Sequence, residues 1–249
     1  MPTNFLSVKH DKITPYNNQT AKKDQVEEMF DNIAPKYDFL NHLLSMGIDI
    51  IWRKKAIKII GKKNPKAILD VATGTGDFAL EARSLNPERI VGLDISEEML
   101  NVGRKKITAK GLDSLIEMVK ADSEALPFDK HTFDAITVGF GVRNFAHLEV
   151  GLSEMLRVLK PGGQVAIIEI SEPTSFPIKQ LYSIYFKHVL PTVGKLVSKD
   201  ARAYTYLPES VTHFAQGQEF VNILTKVGYK NASFTPLTFG TATLYVASK

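Results

Sequence analysis

The stretch Asp70-Val71-Ala72-Thr73-Gly74-Thr75-Gly76-Asp77 is the first in the chain whose residue types could do chemistry. An apolar run meets an acid, then two glycines one residue apart, then residues suited to a helix. Glycines at such a turn let a ligand approach the backbone closely, in the crevice beyond the carboxyl end of a strand. Gly74-Thr75-Gly76-Asp77-Phe78-Ala79 also reads as G-x-G-x-x-A, the spacing of dinucleotide-binding loops. A second acid, Asp94, stands 20 residues past Gly74 at the end of the next apolar run. A carboxylate there can accept both hydrogen bonds of a ribose diol. Nicotinamide and adenosyl cofactors both carry that diol, so Asp94 does not choose between them.

Two other acids do choose. A carboxylate at Asp70, just before the loop, suits a zwitterionic or cationic ligand and would repel a pyrophosphate. Asp122-Ser123 follows a third apolar run, within Ala121-Asp122-Ser123-Glu124-Ala125-Leu126-Pro127-Phe128. That carboxylate could take the exocyclic amine of an adenine ring sandwiched by its apolar neighbours. The acids therefore favour S-adenosylmethionine as cofactor, with an NAD(P)-dependent oxidoreductase as the alternative.

The acids reach one crevice only if strands and helices alternate between them. Ala67–Val71, Arg89–Asp94, Ile116–Lys120, Phe133–Val138 and Gln164–Ile170 read as strands. Helices are expected over Asp77–Ser84, around Met99–Val102, over Leu148–Leu159 (stopped by Lys160-Pro161-Gly162-Gly163) and over Phe220–Val227. Ala232–Leu237 and Thr243–Ala247 close the chain with no helix between them, so one of this pair should run antiparallel. The expected fold is α/β: a doubly wound, mostly parallel seven-stranded sheet with one antiparallel strand near the C-terminus.

Ahead of this unit, residues 1–22 are polar and read as a flexible tail. Residues 23–62 read as a helical lid, with Val26, Met29, Phe30 and Ile33 at helical spacing and Pro35 opening a second helix. Tyr37, Asp38 and Asn41 would share one face of that lid. Residues 63–249 form the cofactor-binding domain, interrupted by an insertion at 173–207. The insertion carries Phe176, Tyr182, Tyr185, Phe186, Tyr204 and Tyr206 among Lys179, Lys187, Lys195, Lys199 and Arg202. Aromatics between lysines suit an element lying at a membrane interface, and equally an element packed over the sheet.

Length and composition set the outer limits. The 249 residues suffice for one α/β domain with a lid. A hydrophobic content of 44% with 23% charged residues excludes global disorder. The net charge of +4 accords with an anionic surface or ligand and is too small to argue for nucleic acid. Cysteine is absent, which removes disulfides, thiolate metal sites and cysteine nucleophiles. The six histidines are scattered, so no metal is expected. No apolar run approaches the ~18 residues of a membrane span, and the N-terminus shows no signal-peptide segment. The expectation is a cytoplasmic protein, peripheral at the inner face of the membrane, for which a homo-oligomer is compatible.

The chain resembles the class I methyltransferases and, more narrowly, the C-methyltransferases of menaquinone and ubiquinone biosynthesis, from about Val26 to the C-terminus. Three stretches carry the likeness: Tyr37-Asp38-Phe39-Leu40-Asn41-His42-Leu43-Leu44-Ser45-Met46-Gly47 running on to Trp52; the cofactor loops with Phe140-Gly141-Val142-Arg143-Asn144; and Arg157-Val158-Leu159-Lys160-Pro161-Gly162-Gly163 with Glu169-Ile170-Ser171. The resemblance implies cofactor contacts at Thr75, Asp94, Asp122 and Ser123, with Asp70, Gly74, Gly76 and Gly139 around them. The chain departs from the family's pattern at three positions. Ala72 stands where many relatives have the loop's first glycine, which a negative φ would tolerate. Gly139 stands where many have serine, and Asp49 where a histidine is frequent.

The resemblance further implies methylation of a ring carbon of a demethylmenaquinol. Arg143, Asn144 and Tyr37 are then the catalytic candidates, with Asp38 and His188 as secondary candidates for proton acceptance. The substrate's prenyl tail would stay in the bilayer, giving 173–199 a role as a membrane-facing lip. A ubiquinone-pathway benzoquinol, another small aromatic acceptor, or a non-catalytic cofactor-binding role are the alternatives.

Overall fold

In a computed structural model of the chain, residues 13–16, 19–186 and 202–249 are described. Helices α1 (Lys22–Ile33), α2 (Tyr37–Ser45) and α3 (Ile48–Ile60) precede β1 (Ala67–Val71). There follow α4 (Asp77–Ala82), β2 (Arg89–Asp94), α5 (Glu97–Ala109), β3 (Ile116–Lys120), β4 (Phe133–Gly139), α6 (Leu148–Val158) and β5 (Leu159–Ile170). Helices α7 (Ile178–Ile184), α8 (Ala203–His213) and α9 (Gln218–Val227) lead to β6 (Lys230–Leu237) and β7 (Ala242–Ser248). The seven strands form one sheet in the order β3-β2-β1-β4-β5-β7-β6. Only β7 runs antiparallel to its neighbours β5 and β6, which is the expected architecture.

The sheet is covered on both faces, and strand parity decides which residue goes where. Leu69, Val71, Val91, Leu93, Ile136, Val138, Val165 and Ile167 enter one core with residues of α6 and α9. The intervening Ile68, Ile90, Ala135, Ala166 and Ile168 enter the other, against Trp52, Ala56, Ile57 and Ile60 of α3 and Phe78 and Ala79 of α4. Asp70 and Thr137 share the parity of the second core and pair across β1 and β4. This puts one acid inside the protein rather than at its surface.

A smaller third cluster joins the front of the chain to its later part. Met29, Ile33 and Ala34 pack with Met99 and Tyr206, and Ile13 and Tyr16 lie against them. Pro35 falls in a 3-10 turn, Ala34–Lys36, between α1 and α2. His188, Lys187, Lys195 and Lys199 lie outside the described residues.

Two local expectations change. The Lys160-Pro161-Gly162-Gly163 stretch does not precede β5 but lies within it: β5 begins at Leu159, and its register against β4 shifts between Phe133 and Ala135. Gly162, at φ 77, supplies the conformation an irregular strand needs. Ala72 has φ 52, not the negative value expected. An L-residue there costs ~1–2 kcal/mol, and the loop keeps it because its neighbour gives way. The Cβ of Ala72 occupies the space beside Gly141, where an added Cβ would lie only 2.5 Å away. Gly141→Ala should therefore lower stability in urea unfolding by ~1–3 kcal/mol. Adding Ala72→Gly to that variant should recover most of the loss.

Candidate active site

Neighbouring strands β1 and β4 depart from sequence order, and ligands of such sheets bind beyond the strand ends at that point. A cavity of about 70 Å³ lies there, walled by Gly74, Asp94, Asp122, Ser123, Gly139 and Tyr37. Asp94 is held by the backbone: its Oδ2 accepts from Gly74 N at 2.7 Å and its Oδ1 from Ser96 N at 3.0 Å. Burial raises its carboxyl above the usual range, while those N–H groups oppose the rise. The carboxylate has lone pairs left for a diol. Asp122 accepts from Glu124 N at 2.8 Å and pairs with Lys23 of α1 at 2.9 Å. Leu93, Ile95, Met99 and Phe145 supply apolar walls. The polar lining is three carboxylates, Asp94, Asp122 and Glu124, with Ser123, Asn144 and Lys23, around an apolar slot. It fits an adenosyl group bearing a cation and gives a pyrophosphate no counter-charge beyond Lys23.

Three expected contacts do not face this cavity. Asp70 is fully buried under the loop. Its Oδ2 accepts from Thr73 Oγ1 at 2.5 Å and from Ala79 N at 3.1 Å, and its Oδ1 from Thr137 Oγ1 at 2.7 Å. Asp70 shapes the loop from below, so its charge is no guide to the ligand. Thr75 turns its hydroxyl to Asp38 and Lys106. Gly76, at φ 83, caps α4, and a Cβ there would meet Met118.

A second cavity of about 500 Å³ adjoins the first, and Phe30, Tyr37, Phe140 and Asn144 line both. Tyr37 stands over the loop, with Cε1 3.8 Å from where a Gly74 Cβ would be. Asn41, one turn on, lines the larger cavity with it. Asp38 does not share their face, because one helical step turns it about 100° away. It pairs instead with Lys106 at 2.8 Å. That pairing occupies the Asp38 carboxylate, and His188 lies outside the described residues.

Arg143 and Asn144 sit on a 3-10 turn, Val142–Asn144, directly after β4. Arg143 is 7% exposed, and its Nη1 donates to Glu169 Oε2 at 2.8 Å. Burial works to lower Arg143, but the Glu169 charge outweighs it and holds the guanidinium above its ordinary value. The Arg143 backbone N–H donates to Glu169 Oε1 at 3.2 Å, and Nη1 also reaches the Phe140 carbonyl. Asn144 Oδ1 accepts from Tyr206 at 3.2 Å. Phe140 adopts φ 60, a strained value for a bulky residue, and packs edge-to-face on Trp52 at 6.1 Å. Spacing alone marks neither Glu169 nor Phe140 as a site residue. The Glu-Ile-Ser end of β5 was visible, but not that it would face Arg143.

Beside the larger cavity, His42, Asp49 and Asp77 bring potential ligand atoms within 4.8 Å of one another. Arg53 lies 2.6 Å from Asp49, and Lys106 2.5 Å from Asp77, so the carboxylates are already neutralised. Burial works to raise Asp49, but Ser45 and Arg53 outweigh it and keep it below the usual range. Asp49 is thus an anion inside an ion-pair network with His42 and Arg53.

The sequence profile of the ubiE/COQ5 methyltransferase family matches residues 18–249. The chain belongs to that family. It is 52% identical over 245 residues to the demethylmenaquinone methyltransferase of Bacteroides fragilis, covering 98% of this chain and 100% of that one. It is 47% identical over 247 residues to the ubiquinone/menaquinone biosynthesis C-methyltransferase UbiE of Geobacter sulfurreducens, covering 98% and 96% of the two chains. A solved SAM-dependent methyltransferase from Thermotoga maritima shares the fold, with a TM-score of 0.61 at 19% identity over 89% of this chain and 99% of the other.

In this ubiE/COQ5 family member the acid beneath the loop has a measurable consequence. Burial pushes the Asp70 carboxyl up from 3.8 to about 7, although Thr73, Thr137 and Ala79 donate to it. Between those pH values the folded protein keeps a proton that the unfolded chain has released. Stability therefore falls as pH rises through the window, by up to ~1.4 kcal/mol per unit from this group. Below the window both states hold the proton, and above it neither does. Asp70→Asn removes the titration. The stability of the variant minus that of the wild type, from urea unfolding, should rise from about pH 4 to about pH 7 and then level off.

Proposed function

We propose that the protein transfers a methyl group from S-adenosylmethionine to a ring carbon of a reduced prenyl naphthoquinone, demethylmenaquinol. The observation that carries this reading is the shared wall. An acid-lined cavity and a large apolar one meet at Phe30, Tyr37, Phe140 and Asn144, with a buried guanidinium on the apolar side. The names of the near-identical-length relatives supply the acceptor's class.

Asp94 would hold the ribose diol, Asp122 and Ser123 the adenine edge, and Gly74 and Gly139 the close backbone approach. The bound cofactor supplies an electrophilic methyl on a sulfonium. Tyr37 offers its ring at the junction, where a neighbouring cation gains ~0.5–2 kcal/mol. Arg143 offers fixed positive charge to an acceptor oxygen. A quinol hydroxyl beside it loses its proton more readily, and the resulting phenolate makes the adjacent ring carbon nucleophilic. Phe30, Tyr37 and Phe140 exclude water where the two ligands meet and keep them at near-attack distance. An oxidised quinone has no hydroxyl proton to lose and no such nucleophilic carbon.

The tail of such an acceptor must leave the cavity. Met46 and Leu181 line it and are yet 81% and 59% exposed, which marks its mouth. Ile51, Phe176, Ile184 and Phe239 are also exposed. No helix among the described residues is long and apolar enough to cross a membrane. The exposed apolar residues support peripheral contact with a lipid surface. The lip thus draws on the α2–α3 turn, α3 and the turn before β7 as well as on residues 176–184, the described part of the expected lip.

With labelled S-adenosylmethionine and a short-chain demethylmenaquinone, product should form with the reduced quinone and not with the oxidised one. Arg143→Met combined with Glu169→Gln, which leaves no unpaired buried charge, should cut turnover ~10²–10³-fold while cofactor binding at equilibrium is unchanged. The wild type should float with anionic liposomes. Replacing Ile51, Phe176 and Phe239 together by serine should weaken flotation without changing turnover of the short-chain acceptor.

A further inference from the structure

Among the described residues, three buried side-chain polar atoms have no hydrogen-bond partner: Arg143 Nε, Tyr182 Oη and Gln164 Oε1. Arg143 and Tyr182 line the same cavity, and Gln164 does not. Orphaned buried polar groups are rare in folded proteins and call for a specific explanation. Two of them on the wall of one mainly apolar cavity suggest a ligand with two polar atoms on an apolar frame. The two come from separate elements, Arg143 from the turn after β4 and Tyr182 from α7.

The Tyr182 ring is not loose. It stacks on Phe186 with centroids 4.1 Å apart at 26°. Burial and the Glu172 charge push its phenol up, and the Arg143 charge opposes them. The hydroxyl therefore keeps its proton and can donate. An aromatic mono-ol has one oxygen to offer the two orphaned groups, whereas a diol has one for each.

We propose that the Tyr182 hydroxyl binds the second ring oxygen of the methyl acceptor, the one not beside the reacting carbon, and so selects aromatic diols over mono-ols. The assignment rests on the methyl-transfer reading above and adds to it a specificity-determining residue. A site built to pair a substrate hydroxyl discriminates against the analogue lacking it, because its own polar group is then left unpaired.

The test uses the full chain with saturating S-adenosylmethionine and two acceptors: a short-chain prenyl naphthohydroquinone, and the matching mono-ol that keeps the hydroxyl beside the reacting carbon and lacks the other. In Tyr182→Phe, kcat/KM for the diol should fall ~10-fold and that for the mono-ol should stay at the wild-type value. The diol preference would then shrink by the same factor. Thermal unfolding of the free variant should occur at the wild-type temperature or higher, since the lost hydroxyl had no partner. A variant that keeps the wild-type diol preference, or loses activity equally on both acceptors, overturns the proposal. So does a lowered unfolding temperature, which would reveal a structural partner. A wild type inactive on both acceptors would instead overturn the parent reading, and this one with it.

Discussion

The buried pair of Arg143 and Glu169 is the constraint on which the rest of the site depends. Glu169 is 1% exposed, at the end of β5, and it takes both a guanidinium N–H and the Arg143 backbone N–H. One carboxylate thus sets a side chain and the turn that carries it. The Phe140 carbonyl accepts from Arg143 and, at 3.4 Å, from Asn144, which favours the positive φ that a bulky residue otherwise avoids. Asn144 passes the constraint to Tyr206, and Tyr206 packs into the cluster of Met29, Ile33 and Met99 beneath the lid. A buried ion pair is weak support for stability, because desolvation offsets its attraction. What it secures here is a cation held without water, next to where the acceptor's negative charge would develop.

The acids at the strand ends are graded by cover rather than by type. Asp70, on β1, is sealed by three donors and titrates near neutrality. Asp94, on β2, is 8% exposed and faces the cavity while pinning Gly74. Asp122, after β3, is further out and already paired with Lys23. The same side-chain type is therefore a loop scaffold at Asp70 and, in the proposed function, a diol acceptor at Asp94 and an edge contact at Asp122. Each follows from how far the strand end stands from the protein's interior.

That gradient also explains what the sequence made legible. Short apolar runs bounded by turn residues locate the inner strands β1, β2, β4 and β5, which are buried on both faces, while β3 and β6 at the sheet's edges are more exposed. The positions of Asp94, Asp122, Arg143 and Asn144 followed, because strand ends on a doubly wound sheet point to one crevice. The role of Asp70 did not follow. Its parity with Ile68 and Thr137 was readable, but the three donors that seal it come from the loop, α4 and β4. Nor did the positive φ of Ala72, which depends on the missing Cβ of Gly141, a residue 69 positions away in the chain. The pairing of Thr75 with Asp38 was hidden for a similar reason. A threonine in a loop and an aspartate on a lid helix carry no mark of each other.

The two sides of the site are held by different kinds of interaction. The cover over the donor cavity is attached by Lys23–Asp122 and Lys120–Glu27, with Lys106–Asp38 behind the loop. These side chains are about a quarter to a half exposed, and pairs of this kind contribute ~0.2–1 kcal/mol each. The turn carrying Arg143 is held by bonds that water does not reach, with its ionic partner almost wholly enclosed. Separating that pair would strand a charge in the interior at ~3–5 kcal/mol. The cover is also held by the buried apolar contacts of Met29, Ile33 and Ala34 with Met99 and Tyr206, each large side chain contributing ~1.5–3 kcal/mol, so most of its attachment is apolar and little of it ionic.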